Sequence, residues 1–376
     1  MFDVVIVGAG FAGAVLAERF ARAADKKVLL VERRRQIGGN CYDEIDANGI
    51  LIHRYGPHLF HTDDEKVWAY LSQFTDWRVY QHKVLAMIDG REVPLPFNLN
   101  TLKKVFPRTL ARRLEKSLLE RFVYGQRVPI FELKNSVDAD LRMLADFVFE
   151  KIFLHYTEKQ WGLTPDKIDG AVTARVPISV SRDDRYFPDR FQAVPKNGYT
   201  ALIANLLAHK NIKLMLNTDF REIASVGGGE VTLFGQKFNG RVIFTGQLDE
   251  LFGGKFGALP YRSVDMKFET VDAENFQAAA TVNYPNNFEF TRITEFKHIH
   301  PAQTARTTIL KEFPRDYTGE NEPYYPIFND EAKAAYAKYS AELKNYPQIE
   351  AVGRLAEYRY FDMDDVVKRA LDVFSA

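Results

Sequence analysis

The chain has 376 residues, with 50 Lys and Arg against 50 Asp and Glu, so its formal net charge is +0. That balance excludes the basic footprint of a dedicated nucleic-acid binder and a polybasic membrane anchor. With 46% hydrophobic residues the chain can bury a sizeable core, and with one cysteine, Cys41, it can form neither an internal disulfide nor a cysteine-cluster metal site.

The first predicted strand is Asp3 to Val7, DVVIV, apolar and β-branched as in a buried parallel strand. Gly8, Ala9, Gly10, Phe11, Ala12 and Gly13 then complete a G-x-G-x-x-G. A helical stretch from Ala14 to Ala24 and a second strand, Lys27 to Val31, follow and end at Glu32. This strand, turn, helix and strand form a dinucleotide-binding unit. Gly8 serves the tight turn, Gly10 lets the backbone approach a pyrophosphate, and Gly13 lets helix and strand pack closely. The helix N-terminus offers N–H groups and partial positive charge to phosphates. Glu32, 22 residues after Gly10, suits ribose hydroxyls and disfavours a 2′-phosphate. The nearly apolar run between Asp3 and Glu18 is short for a membrane span and lacks the basic leader of a signal peptide. A soluble, cytoplasmic protein is expected.

Arg33, Arg34, Arg35, Gln36 and Ile37 lead into Gly38, Gly39 and Asn40. A Gly-Gly pair soon after the acidic residue resembles the flavoprotein form of the fingerprint and favours FAD over NAD. Gly353 and Arg354 follow a short apolar strand, and a helix-like stretch from Asp364 to Phe374 closes the chain. His58 and His61 follow a Gly56-Pro57 break and belong in or beside a loop. Without an acidic cluster they do not make a metal site. From Asn98 to Gln126 the spacing is helical, interrupted by Pro107. Ser136 is a plausible N-cap for a helix carrying Leu141, Leu144, Ala145, Val148 and Ile152, and Gly162 ends the segment. Tyr156 and Trp161 lie at that end, where side chains can face a cleft. A strand Val242 to Gly246 follows, then strand-like sequence over 258–313. There Phe290, Arg292, Thr294 and Phe296 share one face, with Arg292 either a snorkelling surface residue or an anion ligand.

The stretches Ile37–Asn40, Tyr55–Thr62, Tyr156–Gly162, Tyr186–Gln192, Phe256–Ser263, Thr291–Ile293, Glu322–Pro326 and Gly353–Met363 together resemble the bacterial UDP-galactopyranose mutases, nearly end to end. The resemblance implies an α/β (α+β multidomain) protein: a Rossmann-like FAD-binding domain with a helical insertion and an antiparallel β-sheet domain. The expected divisions are 1–80 with 195–250 and 345–376 for FAD, 98–165 for the helical part with a mobile substrate loop, and 81–97 with 166–194 and 251–344 for the sheet.

In that family UDP-galactopyranose and UDP-galactofuranose interconvert without net redox change. The flavin must be reduced; its N5 attacks the anomeric carbon and displaces UDP, the sugar opens and recloses as the smaller ring, and UDP returns. By resemblance, Arg175 and Arg292 bind the diphosphate, and His58, with Leu59, lies against the flavin. Tyr156, Tyr186, Tyr325 and Tyr360 resemble phosphate-binding tyrosines, and Trp161 the residue of the mobile loop. Asp362 resembles the acid near the sugar. Phe153, Thr157, Asn283 and His82 are further substrate candidates. Relatives often carry Asn near the position of His82, so a uracil or ribose contact is expected to differ there. The cofactor set is Gly8, Gly10, Phe11, Ala12, Gly13, Glu32, Arg33, Gly38, Gly39, Asn40, His58, Leu59, Arg262, Gly353, Arg354, Met363, Asp364 and Val366, with no metal. A reductant such as NAD(P)H, a homodimer and a role in supplying galactofuranose to cell-wall polysaccharide are also implied. The alternatives are a flavin oxidase of the amine-oxidase type and a non-enzymatic escort protein of the same fold.

Overall fold

The computed structural model describes residues 2–162 and 177–375. At its centre a fully parallel sheet places the strands in the order Ile212–Met215, Val28–Val31, Val4–Val7, Arg241–Phe244 and Ile349–Ala351. Alternation along each strand divides its side chains between two cores. Val4, Ile6, Val28, Leu30 and Ile243 pack under the helices Phe11–Glu18, Tyr199–Leu207 and Met363–Ser375. Val5, Leu29, Val31, Val242 and Phe244 face the opposite layer, which includes the helix Asp330–Leu343. The first helix passes into a π-helical turn, Arg19–Ala23.

The second sheet has seven strands, in the order Tyr325–Pro326, Tyr261–Val271, Thr307–Asp316, Arg292–Glu295, Thr281–Asn283, Val84–Ile88 and Arg91–Leu95. The expectation of an antiparallel sheet needs one correction: Thr281–Asn283 and Val84–Ile88 run parallel. They come from distant parts of the chain, so no short hairpin imposes the antiparallel sense. The face assigned to Phe290 through Phe296 holds only over Arg292–Glu295, because Phe296 opens a helical turn, Phe296–Ile299.

The helices Leu99–Val105, Arg108–Arg121, Ile130–Lys134, Ala139–Val148 and His155–Trp161 form the insertion, and the first four share a core with the Val84–Leu95 hairpin. Ser136 is not the N-cap of the fourth. Asp138 is, its carboxylate accepting from the Asp140 N–H at 2.8 Å. The Ser136 hydroxyl instead accepts from the Asp138 N–H and from Arg121. Gly162 closes the fifth helix in the left-handed conformation at φ 65°.

One tertiary cap ties the short strand Asp43–Ile45 to this frame. The buried Asp43 carboxylate accepts from the Tyr199 and Thr200 N–H groups at 2.5 and 2.9 Å, at the N-terminus of the helix Tyr199–Leu207. Gly198 stands before it at φ 87°, where a Cβ would lie 2.6 Å from that carboxylate. Hydrogen bonds to a charged group are worth about 1.5–3 kcal/mol each, and they also meet the helix dipole. Asp43→Ala should therefore lower the unfolding free energy by about 2–4 kcal/mol and Asp43→Asn by less, as read from chemical denaturation.

Candidate functional site

The first cavity lies at the C-terminal ends of the parallel strands, where Val7, Val31 and Phe244 all reach its wall. Gly8, at φ 106°, makes the turn; a Cβ there would stand 2.1 Å from the Thr245 hydroxyl, which donates to the Val7 carbonyl at 2.7 Å. Gly13 does not line the cavity. Its absent side chain lets the helix settle on the Gly8 carbonyl, 1.9 Å from where a Cβ would be. Gly10, Phe11, Ala12, Arg33, Gly38, Gly39, Asn40, Gly353, Arg354, Met363 and Val366 do line it. No acidic or capping side chain covers the first turn of the helix Phe11–Glu18, so its N–H end is open to an anion.

Glu32 is buried in the same wall, its two oxygens accepting from the Ala9 and Arg34 N–H groups at 2.8 and 2.9 Å. The backbone fixes the carboxylate and leaves lone pairs for ribose hydroxyls. Further along, Gln247 is 1% exposed; its Oε1 accepts from Tyr317 at 3.2 Å, while its Nε2 has no partner among the described residues. An unpartnered amide in a dinucleotide-shaped wall fits a bound cofactor that supplies the acceptor. Cys41 also lines this cavity, and burial pushes its thiol up to about 12.

A second cavity of about 650 Å³ opens from the first. Asn40, His58, Tyr324, Arg354, Asp362 and Met363 belong to both walls, so the two form one continuous cleft. The second wall also brings together Leu59, His82, Tyr156, Tyr186, Asn283, Arg292, Tyr325 and Tyr360 of the expected set. Among the described residues its charged lining is Arg127, Arg292 and Arg354 against Asp362, an excess suited to a dianion.

Register explains why Arg292 is there. Arg292 pairs across the sheet with Glu312 on one side and Asn283 on the other. Its Nε donates to the Glu312 carboxylate at 2.6 Å, and Glu312 is 3% exposed. Burial opposes the guanidinium charge, but Glu312 outweighs it and holds the pKa above the ordinary value. Gly56 arches over this row at φ 91°; a Cβ there would meet Met266 at 3.3 Å and Glu312 at 3.7 Å. Glycine therefore lets the loop carrying His58 lie on the sheet. Arg354 stands over the rings of Tyr325 and Tyr360 at 5.5 and 5.4 Å, and these rings are themselves parallel.

Several expected residues lie elsewhere. Arg262, expected at the cofactor, lines neither cavity. Its guanidinium donates to the Gln160 and Lys159 carbonyls at 3.1 and 3.2 Å and pairs with Asp316, capping the helix His155–Trp161. Phe153 is buried against Phe131 and Phe149, not in the cleft. Thr157 is buried and lines neither cavity, and Asp364 sits behind the wall beside Thr62 and His61. Arg175 and the side chain of Trp161 lie outside the described residues. Sequence reasoning missed Arg127, which donates to the Tyr186 carbonyl at 2.9 Å, and Tyr55, Thr281 and Phe187 in the same lining. Tyr55 and Phe187 lie in family-matching stretches that could have marked them, whereas Arg127 and Thr281 are marked only by their place in the tertiary structure.

Burial holds four histidines neutral: His58 and His300 fall to about 4, His82 to about 3, and His53 falls well below its usual value. Because these folded values are depressed, the stability they carry is complete above pH 6.5. It is lost as the pH falls toward 4, where the unfolded chain takes up protons the folded one refuses. His61 beside Asp189 and His298 beside Glu295 are raised and oppose this in part. The melting temperature should drop steeply between pH 6.5 and 4.5, each buried neutral histidine contributing up to about 1.4 kcal/mol per pH unit. His82→Gln should flatten the drop in the same calorimetric titration.

Comparison with known proteins agrees with this geometry. A family model described as UDP-galactopyranose mutase matches residues 151–360, and a Rossmann-like NAD(P)-binding domain model matches residues 6–74. A dTDP-fucopyranose mutase of Escherichia coli is 34% identical over 375 residues, covering 99% of this chain and 97% of the relative. A UDP-galactopyranose mutase of Mycoplasma pneumoniae is 33% identical, covering 98% and 94%. In fold, the chain is similar to a reduced UDP-galactopyranose mutase crystal structure with TM-score 0.76 at 16% identity, covering all of this chain and 93% of that one. A putrescine oxidase structure is more distant, at TM-score 0.60. With a nucleotide cavity, a cationic cleft opening from it, and relatives matched along nearly its whole length, the chain belongs to the UDP-galactopyranose mutase family of isomerases.

Proposed function

We propose that the protein interconverts the pyranose and furanose forms of a nucleotide-diphosphate sugar, UDP-galactopyranose and UDP-galactofuranose, with reduced FAD in the first cavity. The observation that carries this reading is the junction at His58, Arg354 and Asp362, where a dinucleotide cavity meets a cleft with three guanidinium groups and one carboxylate. An oxidase acting on an apolar amine has no use for that charge. When bound, reduced FAD supplies the nucleophile for the anomeric carbon, so the exchange needs no net redox change.

The chain's own residues do the rest. Arg292 binds the diphosphate and stabilises the charge that grows on it as the anomeric C–O bond breaks. Glu312 keeps that guanidinium charged and aimed. Arg175 is expected to share the diphosphate. Arg354, beside the stacked Tyr325 and Tyr360 rings, keeps positive charge at the junction, and the tyrosine hydroxyls offer donors to phosphate oxygens. Asn283 and His82 offer neutral polar groups to sugar or ribose hydroxyls. Tyr156 and Tyr186 wall the cleft and exclude water. The same reading takes the protein to be a cytoplasmic homodimer kept reduced by a carrier such as NAD(P)H.

A second substrate pair is favoured by one observation: a relative at 34% identity is a dTDP-fucopyranose mutase. The two substrates share the diphosphate and differ at the sugar C6 hydroxyl, the ribose 2′-hydroxyl and the base methyl. Incubation with UDP-galactofuranose and with dTDP-fucofuranose, with and without dithionite, separates the two by chromatography of the products. Conversion of the UDP sugar only after reduction is the expected result. Selective conversion of the dTDP sugar would replace the substrate, and failure with both on fully reduced bound FAD would remove the mutase reading. Arg292→Ala should lower kcat/KM by at least ~10-fold, the loss of one charge-assisted hydrogen bond.

A further inference from the structure

We propose that His53 and His300 are positioning residues: through a directed chain of hydrogen bonds they hold His58 as a hydrogen-bond acceptor toward the cleft. The proposal rests on the reading that the junction is the reaction site. His53 ends the strand Leu51–His53 and is fully buried; His300 follows the turn Phe296–Ile299 and is 7% exposed.

The direction of every bond is fixed by its ends. The His58 backbone N–H lies 3.0 Å from His53 Nδ1. A backbone N–H only donates, so His53 Nδ1 must carry a lone pair. Neutral imidazole has one N–H, so the His53 proton sits on Nε2, 3.1 Å from His300 Nε2, and donates to it. The His300 proton is then on Nδ1. At the other end, His58 Nδ1 lies 2.8 Å from the Gly56 carbonyl, which only accepts. His58 therefore carries its proton on Nδ1 and leaves Nε2 as the acceptor. No described residue donates to that Nε2, and His58 lines both cavities.

A charged imidazole at any link breaks the order. Protonated His53 would set an N–H against the His58 N–H, and protonated His300 would set two N–H groups face to face. The surroundings oppose protonation. Arg292 and Arg354 face His58, Arg78 faces His300, and the rings of Tyr199 and Phe296 enclose His53. The chain thus gives the junction an uncharged acceptor of fixed direction, suited to an O–H or N–H donor. That donor is a hydroxyl of the sugar nucleotide or an N–H of the reduced flavin.

The test is nitrogen-15 NMR on flavin-loaded, full-length protein with imidazole-labelled histidine at pH 7.5, where the two neutral tautomers and imidazolium have separate signatures. His53→Asn and His300→Gln assign the signals. The expected result is an Nδ1–H tautomer for His58 and His300 and an Nε2–H tautomer for His53. Titration with UDP-galactopyranose, and separately reduction with dithionite, identifies the donor by which one moves His58 Nε2. In His300→Leu the His53 proton loses its acceptor, so the His58 signals should broaden into mixed tautomers and kcat/KM fall ~5-fold or more. His300→Gln, which keeps an acceptor, should restore both. Finding His58 as Nε2–H or imidazolium overturns the proposal. So does a His58 signal that neither ligand nor reduction moves, or a folded Leu variant with unchanged tautomers. Should that variant not fold, the wild-type spectrum decides. Because the tautomers are read without turnover, an inactive protein with the expected order would refute the mutase reading and leave this one standing.

Discussion

A guanidinium half-buried in a cleft must be kept charged and kept still, and the cross-strand pair of Arg292 with Glu312 does both. Burying either group alone would be costly; pairing them at 2.6 Å across adjacent strands makes the burial tolerable while Arg292 still lines the cleft. The rest of the site is arranged about that point. Asn283 is its other cross-strand neighbour, and Gly56 crosses above it and delivers His58. A one-residue slip of the strand Arg292–Glu295 would turn Arg292 away from the cleft and expose Glu312 without its partner.

Two frames of different construction meet at the junction. The parallel sheet offers its strand ends, where backbone turns and a helix terminus receive a dinucleotide. The seven-stranded sheet offers a face, where side chains in register receive the second ligand. The seam between them is sealed by one polar link and one aromatic cluster: the Asp43 cap on the helix Tyr199–Leu207, and the packing of the Tyr199 ring against Phe11, His53 and His58. Rigid seams of this kind hold groups from distant parts of the chain within reacting distance, which a single flexible loop does not.

What the sequence discloses follows from how local each feature is. Gly8, Gly10, Gly13 and Glu32 are legible because a turn, a helix start and a strand end within a short stretch dictate them. Resemblance to a family located most of the cleft lining, including Tyr156, Tyr325 and Tyr360. It misplaced Arg262 and Phe153, whose neighbours in sequence are family motifs but whose side chains turn toward a helix end and a core. Arg127 and Glu312 were not legible. Nothing near them in sequence signals a cleft; a hairpin and a strand register put them there. The N-cap shifted from Ser136 to Asp138 because an ionised oxygen close to the helix start outcompetes a hydroxyl further away.

The chain's single thiol stands in the wall of the cofactor cavity. Cys41 ends the short turn Gly39–Cys41, is 8% exposed, and burial pushes its thiol up to about 12. While that turn is closed the sulfur is inert to alkylation, since the thiolate is the reactive form. The molecule therefore carries its own reporter: one thiol, one possible label, and a labelling rate set by how often the cavity breathes. A filled cavity and an empty one become distinguishable by mass alone, without colour, turnover or any engineered probe.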